Sequence, residues 1–93
     1  MTYVLVAYDI SDDEARNKLA RDLQAAGFTR IQRSVYVHKT AYRGVVERVK
    51  RLALRRMDPR TDSVLIMIIP SNVYERNTII LGGRWDEQGD ILL

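Results

Sequence analysis

The chain has 93 residues, 46% hydrophobic and 29% charged, with five glycines, two prolines and no cysteine. That excludes two domains, a disulfide scaffold and any cysteine-built metal cage; a single domain this small buries roughly two-thirds of its unfolded surface and gains from pairing with another chain. The net charge is +3, but Lys39 to Arg60 holds eight basic residues against Glu47 and Asp58, a local +6 set against −3 elsewhere, which suits a polyanion-facing surface and equally a solvated helix face.

Tyr3 to Asp9 is a short apolar run rich in β-branched and aromatic residues that stops at a polar cluster, as a buried strand does. Ser11 and Glu14 have capping-box spacing. Ala15, Leu19, Leu23 and Ala26 then repeat at helical intervals until Gly27 supplies a C-cap. Phe28 to Val37 alternates, which fits one long strand or two short strands reversing near Arg33 and Ser34, since no glycine or proline marks a turn. Tyr42 to Met57 predicts a second helix with Val45, Val49, Leu52, Ala53 and Met57 along its apolar stripe, ended by Asp58-Pro59. Ser63 to Ile69 reads as a strand apolar on both faces and closed by Pro70. Asn77 to Leu81 reads as a last strand before Gly82-Gly83, so that residues 1–83 form one domain and 84–93 an acidic tail carrying the only tryptophan.

The order predicts a ferredoxin-like βαββαβ α+β sandwich with an additional C-terminal strand, both helices on one face of an antiparallel sheet. The other face is then open. The two apolar strands have no polar side to offer water, so a second layer must cover them, and the simplest is the same surface of another copy: a two-fold homodimer. The last strand is free to extend the partner's sheet edge.

One histidine and no cysteine exclude a multi-histidine or thiolate zinc site and a thiol nucleophile. His38 lacks a nucleophile elbow nearby and reads as a structural histidine. No phosphate-cradling glycine loop occurs. No apolar run reaches the ~20 residues of a membrane span, and the first residues lack a basic leader, so a cytoplasmic location without membrane contact is expected.

Asp9 ends a strand buried on both faces, just before a helix. Position alone reads it as a turn or capping residue. A two-fold axis near that strand end changes the reading, because two facing carboxylates repel unless protonated or bridged by a cation such as Mg2+, a site able to activate water toward a phosphodiester.

Three segments, Tyr8-Asp9-Ile10-Ser11-Asp12-Asp13, Arg16-Asn17-Lys18-Leu19 and Gly27-Phe28-Thr29-Arg30-Ile31-Gln32-Arg33-Ser34-Val35-Tyr36, closely resemble the CRISPR-associated Cas2 family in residues and spacing. The similarity extends in pattern to about residue 82. The resemblance implies a homodimer whose last strand crosses to the partner. It also implies a metal-dependent nuclease acting on single-stranded RNA or duplex DNA, with Asp9 as magnesium ligand and Tyr8 and Tyr36 beside it as candidate catalytic residues. Arg16, Lys18, Arg30 and Arg33 are then the candidate nucleic-acid contacts, Lys18 standing where a relative carries arginine and lacking its fork. For Tyr8 and Tyr36 sheet packing is the competing role. The same resemblance implies a part in spacer acquisition, in which the dimer bridges DNA between two dimers of the larger CRISPR-associated integrase without needing its acidic pair. The tail, with Trp85 and Ile91-Leu92-Leu93, is a docking segment for that integrase or a frayed end. A ferredoxin-like RNA-binding or regulatory module is the remoter alternative; seven aromatics in all and no RNP-like segment argue against it.

Overall fold

Four strands, β1 (Thr2–Asp9), β2 (Thr29–Gln32), β3 (Val35–Thr40) and β4 (Ser63–Pro70), form one antiparallel sheet ordered β2-β3-β1-β4, with helices α1 (Asp13–Ala25) and α2 (Gly44–Arg56) as the two crossovers. This is the ferredoxin-like order expected from the sequence. The computed structural model describes residues 1–82 and, as backbone, residues 84–85 and 91–92.

Alternation along β1 decides the layering. Val4, Val6 and Tyr8 are buried and pack with Leu19, Ala20 and Leu23 of α1, Val45 and Val49 of α2, and Tyr36 of β3, so both helices cover the same face. Asp22 of α1 accepts from Arg56 Nε at 2.8 Å and Nη2 at 3.3 Å, tying the end of α2 to α1. On the opposite face the register aligns Tyr3, Leu5, Ala7 and Asp9 with Ile69, Met67, Leu65 and Ser63. Leu65 is 50% and Met67 46% exposed there. An apolar sheet face is thus open to solvent in the single chain, as the two-sided apolar strands require.

The C-terminus of α1 closes as the sequence predicts. Gly27 has φ +97°, its N–H donates to the Gln24 carbonyl, and the Phe28 N–H reaches back to Leu23 at 3.0 Å, the paired bonds of a Schellman motif. The N-terminus corrects the expectation by one residue. Asp12, not Ser11, caps the helix by accepting from the Ala15 N–H at 2.8 Å, because the Ser11 hydroxyl is taken by Asp62.

Between the alternatives for residues 28–37, two strands form. Arg33 and Ser34 make the reversal without a positive φ, and a bulge between Arg30 and Gln32 shifts the register beside them, supplying the local twist a glycine turn would otherwise give.

The expected strand Asn77–Leu81 does not form. A third helix, α3 (Ser71–Asn77), follows Pro70, and residues 78–81 carry no regular structure, with Ile79 81% and Leu81 88% exposed. Within one chain this segment pairs with neither sheet edge, so it has no ladder to join. α3 instead docks on the open sheet face: Tyr74 stacks on Tyr3 with ring centroids 4.1 Å apart, and Glu75 accepts from Lys39 Nζ at 2.9 Å and from the Tyr3 hydroxyl at 3.0 Å. The lysine, then the phenol, holds the Glu75 carboxyl below its ordinary range. Beyond it, β5 (Arg84–Trp85) and β6 (Ile91–Leu92) pair antiparallel; the side chains of the predicted tail lie outside the described residues. Among the described residues no helix is long and apolar enough to cross a membrane.

Candidate functional site

Asp9 is the last residue of β1, opposite Ser63 of β4, and it is exposed on the open face of the sheet. It borders a cleft of about 270 Å³ lined by Tyr8, Asp9, Ile10, Arg16, Arg33 and Ser34. Two loops meet there because β1 ends where the β2–β3 reversal turns back, and the Tyr8 N–H donates to the Ser34 carbonyl at 3.1 Å to join them. Arg16 comes from the first turns of α1. Its Nη1 donates to the Ile10 carbonyl at 3.1 Å while Nη2 pairs with Asp13, which turns the guanidinium back over the loop rather than out along the helix. One carboxylate and two arginines therefore share a small opening.

Behind Asp9 lies a layer of phenols. The Tyr8 and Tyr36 rings are stacked with centroids 6.1 Å apart, Tyr36 is fully buried, and Arg30 Nε donates to its hydroxyl at 2.8 Å. Burial, then the neighbouring Tyr36 hydroxyl, pushes the Tyr8 phenol well up from its ordinary value, so at neutral pH it is a hydrogen-bond donor and not a base.

The sequence-predicted residues separate into three groups. Tyr8, Asp9, Arg16 and Arg33 converge on the cleft. Tyr36 and Arg30 stand behind it, where Arg30 meets Tyr36 and does not line the opening. Lys18 is elsewhere: it pairs with Glu14 at 2.9 Å and borders a separate depression with Asp12, Ala15, Arg55 and Arg56. His38 packs against Phe28 with ring centroids 5.2 Å apart, a packing role. A wider depression of about 500 Å³, lined by Val4, Tyr42, Val46 and Ile68 among others, has no carboxylate.

Sequence reasoning missed Asp62. It sits just before β4, next to the partner of Asp9, and accepts from the Ser11 N–H and hydroxyl. An aspartate ahead of a strand is a common turn residue, and nothing in its immediate neighbourhood pointed to a contact 51 positions away.

Among the described residues no group of three or more His, Asp or Glu side chains stands where it would hold a metal within one chain. Mg2+ keeps several waters and takes one or two carboxylates, and the lining of this cleft holds one, Asp9.

Comparison with known proteins bears on all of this. A family model described as "CRISPR associated protein Cas2" matches residues 1–77. The chain is 39% identical over 87 residues to a CRISPR-associated endoribonuclease Cas2 of Aeropyrum pernix, covering 94% of this chain and 92% of that protein. It is 47% identical over 51 residues to a CRISPR-associated endonuclease Cas1/endonuclease Cas2 fusion of Thermoproteus tenax, covering 55% of this chain and 19% of the fusion. The crystal structure of Streptococcus pyogenes Cas2 superposes with a TM-score of 0.67 at 25% identity, over 86% of this chain and 99% of that one.

Proposed function

The chain belongs to the CRISPR-associated Cas2 family, and on that premise we propose that it works in the cytoplasm as a two-fold homodimer that binds nucleic acid during spacer integration. In that dimer Asp9 of each copy faces the axis as a cation-holding pair able to support endonucleolytic hydrolysis of RNA or duplex DNA. The observation that carries this reading is the placement of Asp9: it ends β1 on the sheet face whose Leu65 and Met67 are left half-exposed. Covering that face with a second copy removes apolar surface from water, at about 25 cal/mol per Å², and joins the two carboxylates in one act.

Each side chain at the cleft then has a task. Asp9 supplies the anionic ligand, and the repulsion between the two copies is what makes the site cation-dependent. A bound magnesium would supply positive charge against the phosphodiester and a water of lowered pKa. Arg16 and Arg33 flank the carboxylate and orient the phosphate backbone. Tyr8 donates a hydrogen bond from its protonated hydroxyl, and Arg30 with Tyr36 holds that ring from behind.

A second reading rests on α2, which with its N-cap Arg43 presents Arg48, Arg51 and Arg55 to solvent. Phosphate contacts along this helix suit a DNA-bridging scaffold that needs no chemistry of its own, and the Cas1–Cas2 fusion among the relatives favours an integrase as its partner. Asp9→Asn separates the two. It should lower Mg2+-dependent cleavage by at least about 100-fold and leave spacer acquisition intact, whereas reversing charges on α2 should abolish acquisition. Unchanged cleavage in Asp9→Asn would remove the enzymatic reading, and loss of acquisition in the same variant would remove the scaffold one.

A further inference from the structure

The turn that carries Asp9 away from β1 is fastened from outside its own element. Asp62 accepts four hydrogen bonds. Its Oδ1 takes the Ser11 N–H at 3.1 Å, the Ser11 hydroxyl at 2.9 Å and the Thr61 hydroxyl at 3.0 Å, while Oδ2 takes the Asp58 N–H at 2.8 Å. Two of these four come from one residue, two positions after Asp9. Ile10 between them is 3% exposed and its carbonyl is held by Arg16. The chain from Asp9 to Ser11 is thereby fixed at successive residues: by pairing with Ser63, by burial, and by Asp62. Ser11 has surrendered the helix-capping role to Asp12, so its bonds to Asp62 are not needed to start α1. What they do set is the path between the strand end and the helix.

We propose that Asp62 is a positioning residue for Asp9: by holding the backbone and hydroxyl of Ser11, it fixes the direction in which the Asp9 carboxylate leaves the strand and faces the cleft. Asp62 touches neither nucleic acid nor cation in this scheme. The inference rests on Asp9 being the cation-holding carboxylate, and it gives a carboxylate on an exposed strand end a fixed stretch of backbone to leave from. An unsupported first ligand is free to swing, and loss of outer support of this kind lowers metal affinity about 10- to 100-fold.

Asp62→Ala and Asp62→Asn differ usefully. Asparagine keeps an oxygen for both Ser11 donors but offers its NH2 where the Asp58 N–H needs an acceptor; alanine loses everything. In the full chain, hydrogen exchange at the Ser11 and Asp58 amides, the metal-free ¹³C carboxyl resonance of Asp9, Mn2+ affinity and Tm would be read for both variants and for Asp9→Asn. Alanine should expose both amides, shift the Asp9 resonance and weaken Mn2+ binding at least about tenfold. Asparagine should expose the Asp58 amide and lower Tm, yet keep Ser11 protection, the Asp9 resonance and Mn2+ affinity near wild type. A merely structural role would make affinity follow Tm in both variants. The proposal is overturned if alanine leaves Ser11 protected, or if either variant frees Ser11 while the Asp9 resonance stays in place. Wild-type Mn2+ affinity in Asp9→Asn would instead remove the cation reading, and the metal-free Ser11 and Asp9 signals would still decide the role of Asp62.

Discussion

Arg30 Nε donates a 2.8 Å hydrogen bond to the hydroxyl of Tyr36, a side chain with no exposed surface. The guanidinium thus serves a buried phenol before it serves anything in solution. Arg30→Ala takes this donor from a buried oxygen and should lower unfolding free energy by about 1–3 kcal/mol, whereas Tyr36→Phe, which removes the oxygen itself, should cost about 0.5–1.5 kcal/mol. The double variant should lose less than the sum, as coupled neighbours do. Urea titrations of the four proteins measure this, and additive losses would show that the two residues act separately.

Gly27 gives a second test. With φ at +97°, and with any Cβ at this position falling only 3.1 Å from His38 Cε1, an alanine there meets both a left-handed backbone and a crowded ring. Gly27→Ala should cost about 1–2 kcal/mol from the backbone alone. Thermal or urea unfolding reads it, and an unchanged stability would mean that the close of α1 relaxes away from the left-handed conformation.

Acid should find Asp62 late. Its carboxyl is held down to about 2 by the Asp58 N–H and then the Ser11 N–H, against an ordinary value of 3.8. A depressed folded-state pKa contributes stability that is fully present above the ordinary value and is lost as pH falls through the folded one. The Asp62 contribution should therefore disappear between about pH 4 and pH 2, and Asp62→Asn should flatten that part of the stability curve. Carboxyl NMR gives the midpoint directly; titration near 4 would show that the hydrogen bonds do not persist in solution.

Charge on the open sheet face should separate association from folding. Leu65 and Met67 are half-exposed, so Leu65→Glu with Met67→Glu should leave unfolding of the single chain within about 0.5 kcal/mol per site. Two copies brought together through this face would bury those carboxylates against each other. Light scattering should show a folded monomer at micromolar concentration. A persistent dimer would move the interface to another surface, and with it the pairing of the two Asp9 side chains.

Much of this was legible in order along the chain, wherever the cause is local. β1 announces itself by composition, α1 by its stripe and by Gly27, and α2 by Val45, Val49 and Ala53. What was hidden has distant causes. The reversal at Arg33–Ser34 carries no glycine because the bulge beside it supplies the twist. Ser11 looked like a cap because its claimant, Asp62, is 51 residues away. Residues 71–77 have no apolar stripe and become helical where Tyr74 meets Tyr3 and Glu75 meets Lys39. At the site, Tyr8, Asp9, Arg16 and Arg33 do converge. Lys18 does not, and simple helix geometry explains it: two residues beyond Arg16 is about 200° around the axis, which turns it toward Glu14 and the end of α2.

The seat of α3 has one more consequence. The helix grips Tyr3 and Lys39, at the opposite end of β1 from Asp9, about 20 Å away at strand rise. It stands proud of the sheet like a doorstop. A flat surface laid on these strands strikes the helix before it reaches Tyr3, so a second copy seated on this face, as proposed, would come flush only over the half that ends at Asp9.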